Sequence, residues 1–132
     1  FLSHAHPDHV LLAGIFENAK AITFDTNLLY DNDNISGWDA HELGEDIEIV
    51  ETPGHMLEHI SLVADTAEGK VVIAGDTIWW LDDEEQVFDI NQPDHSQAKG
   101  MNVETLVESR KKLLSMADYI IPGHGKMFKV IK

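Results

Sequence analysis

The chain has 132 residues, 43 % of them apolar, which suits one globular domain with a modest core and excludes two independent ones. A formal charge of −15 disfavours nucleic acid and anionic membranes, because both are bound through Lys and Arg that neutralise phosphate. No apolar run is long enough to cross a bilayer, and the absence of cysteine excludes a disulfide framework and a thiolate metal site. No charged-then-apolar leader opens the chain, so a cytoplasmic location is the expectation.

In chain order, residues 9–20 predict a short helix despite Gly14, and 21–25 (AITFD) a buried strand. Residues 31–37 (DNDNISG) are dense in turn formers and predict a loop. Residues 47–54 (IEIVETPG) alternate apolar and acidic side chains and stop at Pro53-Gly54, as a half-buried strand entering a turn does. HISLVAD and VVIAGD flank TAEGK and predict a hairpin. Residues 82–101 predict a long polar loop with one turn of helix at most. Residues 102–117 predict a helix capped by Asn102, with Val103, Leu106, Val107, Leu113 and Leu114 on its apolar face and Arg110 at the edge, its stem buried. Residues 119–125 (YIIPGHG) predict a strand and turn, and 127–131 one more short strand. ETPGH, IAGD and IIPGH share one pattern: an apolar strand ends and at once presents His or Asp. Strand ends are where a rigid sheet aims side chains into a common site.

The densest chemistry is SHAHPDHV, residues 3–10. In an extended segment His4 and His6 point the same way and can serve one ion. Pro7 turns the chain, so Asp8 and His9 leave toward a neighbouring ion. Imidazole with carboxylate and no sulfur suits zinc, with iron or manganese as alternatives.

HAHPDH resembles the H-x-H-x-D-H signature of the metallo-β-lactamase superfamily, and TPGH (52–55), GDT (75–77) and PGHG (122–125) resemble its later metal motifs in the same order. The resemblance implies an α/β (α+β) αββα sandwich over residues 1–132, a partial one, because several strands normally precede the first motif. An exposed sheet edge left by their absence makes a homo-oligomer, or a longer protein, the expectation. The resemblance also implies that His4, His6 and His55 hold one metal, that Asp8, His9 and His124 hold a second, and that Asp76 bridges them. Asp8 and Asp76 are the implied catalytic residues. Two Zn2+ about 4 Å apart would share a hydroxide as nucleophile and polarise a carbonyl or phosphoryl oxygen. Histidine at position 6, where the flavodiiron relatives resemble H-x-E-x-D-H, favours hydrolytic zinc over redox iron.

His59, four residues after His55, resembles the second histidine of the family's TPGHxxGH stretch and is expected to hydrogen-bond behind the ligands. Thr77 either orients a carboxylate or caps a strand end. Of Trp79 and Trp80, alternation sends one inward and the other toward solvent, and either can line the substrate mouth. His41 and His95 lie in polar segments and are expected to be solvated, with a reach into the pocket from the long loop as the alternative for His95. The implied function is a dinuclear zinc hydrolase of a small-molecule ester, thioester, lactone or phosphoester. The alternatives are a nuclease of the same superfamily, which the single arginine and the charge oppose, and a non-catalytic metal-binding or oligomerisation module.

Overall fold

The computed structural model describes residues 2–11, 21–22, 28–31, 34–37, 44–94, 96, 99, 101 and 103–132. Its helices are α1 (Pro7–Val10) and α2 (Val103–Met116). Strands β1 (Ala21–Ile22), β2 (Leu28–Asp31) and β3 (Asn34–Gly37) form an antiparallel three-stranded sheet. Strands β4 (Ile47–Glu51), β5 (Ile60–Thr66), β6 (Gly69–Gly75), β7 (Tyr119–Pro122) and β8 (Phe128–Lys129) form a five-stranded mixed sheet in that order.

The hairpin predicted around TAEGK is β5–β6, closed by the pair Thr66 and Gly69. The Thr66 hydroxyl donates to Gly69 O at 2.7 Å and accepts the Glu68 N–H at 3.2 Å, an economical clasp for a tight turn. The loop predicted over 31–37 is a correction. Asp31 pairs with Asn34 and Tyr30 with Ile35, so a hairpin runs through it and only residues 32 and 33 lie between the strands. The turn formers Asp31, Asn34, Ser36 and Gly37 therefore stand at paired strand positions rather than in a loop. The predicted helix at 9–20 begins earlier, at Pro7, whose fixed φ suits a first helical position, and residues 12–20 lie outside the described ones. Residues 23–25 of the predicted strand, the cap Asn102, and His41 and His95 also lie outside them.

One face of the large sheet packs on α2. Val50, Val63, Val72, Ala74 and Ile120 from four strands meet Leu113 and Ala117, with Ile78 and Trp80 closing the core. The buried stripe of α2 is Leu106, Ser109, Arg110 and Leu113, at helical spacing. Val103, expected on this stripe, is exposed at the first turn. Arg110 is a second correction: it lies 4 % exposed, its whole guanidinium inside rather than at the edge.

The topology positions the site. β4 and β6 are each antiparallel to β5, and β7 is parallel to β6, so β4, β6 and β7 all run one way. Their carboxyl ends therefore share one rim, and His55, Asp76 and His124 follow those ends. The N-terminal segment joins the same rim where Ser3 O accepts the Ile60 N–H at 3.0 Å, at the start of β5.

Candidate metal centre

The turns after the strands are built to hold their side chains close. Gly75 has φ +52°, and a Cβ there would come within 2.7 Å of Ser3 Cβ and 2.8 Å of His59 Nε2. A Cβ at Gly123 would overlap Asp76 Oδ1. The turn carrying His55 is clamped by α2, where the Ser109 hydroxyl donates to Pro53 O at 2.6 Å.

Two groups of side chains present ligand atoms within 4.8 Å of one another: His4, His6, His55 and Asp76, and Asp8, His9, Asp76 and His124. These are the two sets implied by the resemblance, and Asp76 is common to both. Its carboxylate divides between them. Oδ2 lies 3.6 Å from His4 Nε2 and 3.5 Å from His55 Nε2, while Oδ1 lies 3.2 Å from His9 Nε2 and 3.9 Å from His124 Nε2. Asp8 Oδ2 lies 3.1 Å from His124 Nε2 and 3.6 Å from His9 Nε2, and His55 Nε2 is 3.0 Å from His6 Nδ1. Adjacent ligand atoms of a tetrahedral zinc with bonds of 2.0–2.1 Å sit about 3.4 Å apart, so the spacing fits.

The donor chemistry fits as well. His4 Nε2, His9 Nε2 and Asp76 Oδ1 are buried and meet the criteria of a hydrogen bond with no partner among the described residues. Buried polar atoms are rarely left so, and these three converge where an ion would satisfy them. The Nδ1 atoms of His4 and His9 lie 3.0 and 3.1 Å from one hydroxyl, that of Ser3, which turns both Nε2 atoms toward Asp76. His55 Nδ1 donates to Asp94 Oδ2 at 2.5 Å. Neither Ser3 nor Asp94 was singled out from the sequence. Ser3 adjoins the first motif, whereas Asp94 stands 39 residues from its partner with no spacing signal.

His59 is different. Its Nε2 accepts the Asp76 backbone N–H at 3.1 Å, so Nδ1 carries the proton and donates to Thr52 Oγ1 at 2.8 Å. Thr52 Oγ1 then meets Ser61 Oγ at 2.8 Å, and Ser61 donates to Ala74 O at 3.0 Å. Both ring nitrogens are engaged by the protein. The Thr77 hydroxyl donates to Thr52 O at 3.4 Å and lies 3.2 Å from His59 Nδ1, so it addresses this network rather than a carboxylate.

Electrostatics follow burial. Burial, then the neighbouring His9, pushes the His4 imidazole down to about 3, and burial, then His4, does the same to His59. The Asp76 carboxylate raises His9. Burial opposes ionisation of Asp76, but His9, His4 and His55 outweigh it and hold the carboxyl below its ordinary range. Burial likewise opposes ionisation of Asp94, and His55, the Ser96 N–H and Trp79 outweigh it.

The first group is the enclosed one; Asp8 and His124 leave the second open to solvent. On that side a cavity of about 320 Å³ is lined by Asp8, Trp79, Leu81, Asp82, Ser96 and His124. The Trp79 ring lies 6.3 Å from His55 and 5.9 Å from His124, so it is the tryptophan that faces the centre. Trp80 borders the cavity but belongs to the core, 4 % exposed, its indole N–H on Val87 O and its ring 5.9 Å from Phe128.

Fold and site together define a mixed-sheet protein whose co-directional strand ends carry a paired His/Asp centre suited to metal. No protein-family profile matches the chain. It is similar to proteins named metallo-β-lactamase domain-containing protein 1: 36 % identical to that of Xenopus laevis over 141 residues, covering 98 % of this chain and 54 % of the relative. Identity to the Rattus norvegicus protein is 31 % over 136 residues (98 % of this chain, 51 % of the relative), and to the Homo sapiens protein 30 % over 136 residues (98 % and 48 %). These relatives support the metallo-β-lactamase superfamily for this chain. The chain spans about half the length of the curated relatives it matches. Among the described residues, no helix is long and apolar enough to cross a membrane.

Proposed function

We propose that the chain is the core of a dinuclear zinc hydrolase acting on a small ester, thioester or lactone, within a partial αββα sandwich. The observation that carries this reading is the trio of orphaned buried atoms around Asp76, one carboxylate oxygen and two imidazole nitrogens. Zinc held there would supply Lewis acidity, bringing the pKa of water toward neutrality and stabilising charge on a carbonyl oxygen. His4, His6 and His55 would hold one ion and Asp8, His9 and His124 the other, with Asp76 common to both groups. Trp79 supplies an apolar wall beside the open group.

The cavity rim favours acyl substrates over phosphoesters and nucleic acid. Asp8 and Asp82 line it, and no Lys or Arg does among its described lining residues. The test is elemental analysis of the purified chain with a screen of ester, thioester and lactone hydrolysis. Two zinc ions per chain with turnover are expected, and Asp76→Ala should lose metal and turnover together. Full activity of that variant, or a chain that binds no metal, would contradict the reading.

A further inference from the structure

We infer that Asp94 is a positioning residue for His55: its buried carboxylate takes the imidazole Nδ1–H and so aims Nε2 at the Asp76 side of the centre. The inference rests on the dinuclear reading above and extends it to a residue outside the ligand motifs.

A carboxylate can only accept here, so the 2.5 Å contact fixes the proton on His55 Nδ1 and leaves Nε2 as the unprotonated nitrogen, 3.0 Å from His6 Nδ1. The Asp94 side chain is 0 % exposed, so no water competes for this bond. Its second oxygen is also engaged: Oδ1 accepts the Ser96 N–H at 2.9 Å, and the Ser96 hydroxyl lies 3.4 Å away. A carboxylate held at both oxygens cannot rotate away from its histidine. Such pairing sets the tautomer and ring angle of a ligating histidine and raises its basicity.

The segment that delivers Asp94 is itself tethered. Arg110 Nη1 donates to Ile90 O at 3.0 Å and to Gln92 O at 2.6 Å, just before Asp94. Arg110 Nε donates to Thr77 O at 2.9 Å, one residue after Asp76. One buried guanidinium on α2 therefore registers the loop bearing the orienting carboxylate against the turn bearing the shared ligand.

The experiment is zinc titration of the metal-free chain, with long-range 1H–15N spectra to read the His55 tautomer. Asp94→Ala should weaken one of the two zinc equivalents about 10–100-fold and largely retain the other. Asp94→Asn keeps an accepting oxygen without the charge, so it should lose less affinity and move the His55 Nδ1–H resonance upfield. Wild-type affinity for both equivalents in both variants overturns the inference and leaves the dinuclear reading standing. Should Asp94→Ala fail to fold, Asp94→Asn decides: an unshifted resonance with unchanged affinity overturns the proposal, and an upfield shift with weaker binding supports it. No zinc uptake by the unsubstituted chain overturns both.

Discussion

Ser3 is a small side chain with two clients. Its hydroxyl faces the Nδ1 atoms of His4 and His9, which belong to different ligand groups, and the residue is 5 % exposed. Ser3→Ala leaves both nitrogens without that partner, at about 1–3 kcal/mol for each buried polar group so exposed. The expected outcome is weaker binding of both zinc equivalents in a titration, in contrast to the single equivalent affected at Asp94. His59 separates the two kinds of histidine in this cluster. Its removal strands the Asp76 N–H and takes one partner from the Thr52 hydroxyl, which keeps Ser61, so His59→Ala should destabilise the metal-free chain by about 2 kcal/mol in urea denaturation. His55→Ala should abolish one zinc equivalent instead. A His59 variant with unchanged metal-free stability would show that the network carries no weight. The candidate ligand residues stood out in the sequence because four of them crowd into six positions and the others directly follow apolar runs. Ser3 and Asp94 did not, because a hydrogen-bond partner needs no spacing and leaves no period.

Secondary structure was legible where the apolar pattern and the turn chemistry agreed. β4 alternates apolar and acidic residues, β5, β6 and β7 are short apolar runs, each has a Gly or Pro at its end or within three residues of it, and all four appear where expected. The β2–β3 hairpin was hidden because turn formers occupy its strand ends as well as its connection. The helix α2 was located correctly, but Ser109 was not read on its buried stripe and Arg110 was placed only at the edge, because their burial depends on carbonyls contributed by distant turns. Arg110 shows what that hides. Three backbone carbonyls, of Thr77, Ile90 and Gln92, converge on one guanidinium, and each hydrogen bond to a charged group is worth about 1.5–3 kcal/mol. Arg110→Ala should cost at least about 3 kcal/mol in chemical denaturation. Arg110→Lys should recover only part of it, since a single ammonium cannot span the fork. A loss below about 0.5 kcal/mol, the range of ordinary surface substitutions, would mean that the loop and the turn hold their places without the clamp.

At the scale of the molecule the informative feature is that the five-stranded sheet is apolar on both faces. Opposite the α2 core, cross-strand partners form two rows: Ile49, Leu62, Ile73 and Ile121, and Ile47, Ala64, Val71 and Tyr119. All eight are partly buried, neither sealed like Val72 nor free like Thr66. A sheet bordered by water on one side presents polar residues there, and this one does not. The second face is therefore built to be covered, as the second layer of a sandwich would cover it. β6, which carries Asp76 at its end, sits between β5 and β7 in this sheet. Ile73 lies at the middle of its row and tests the point directly. Ile73→Lys should destabilise the chain by at least about 2 kcal/mol if the face is covered, because a buried unpaired charge is among the few changes that cost so much. At a solvated face the same change would fall within about 0.5 kcal/mol. Thermal unfolding of the two chains in parallel distinguishes these outcomes, and an unchanged midpoint would remove the sandwich from the proposed architecture while leaving the ligand geometry at the strand ends intact.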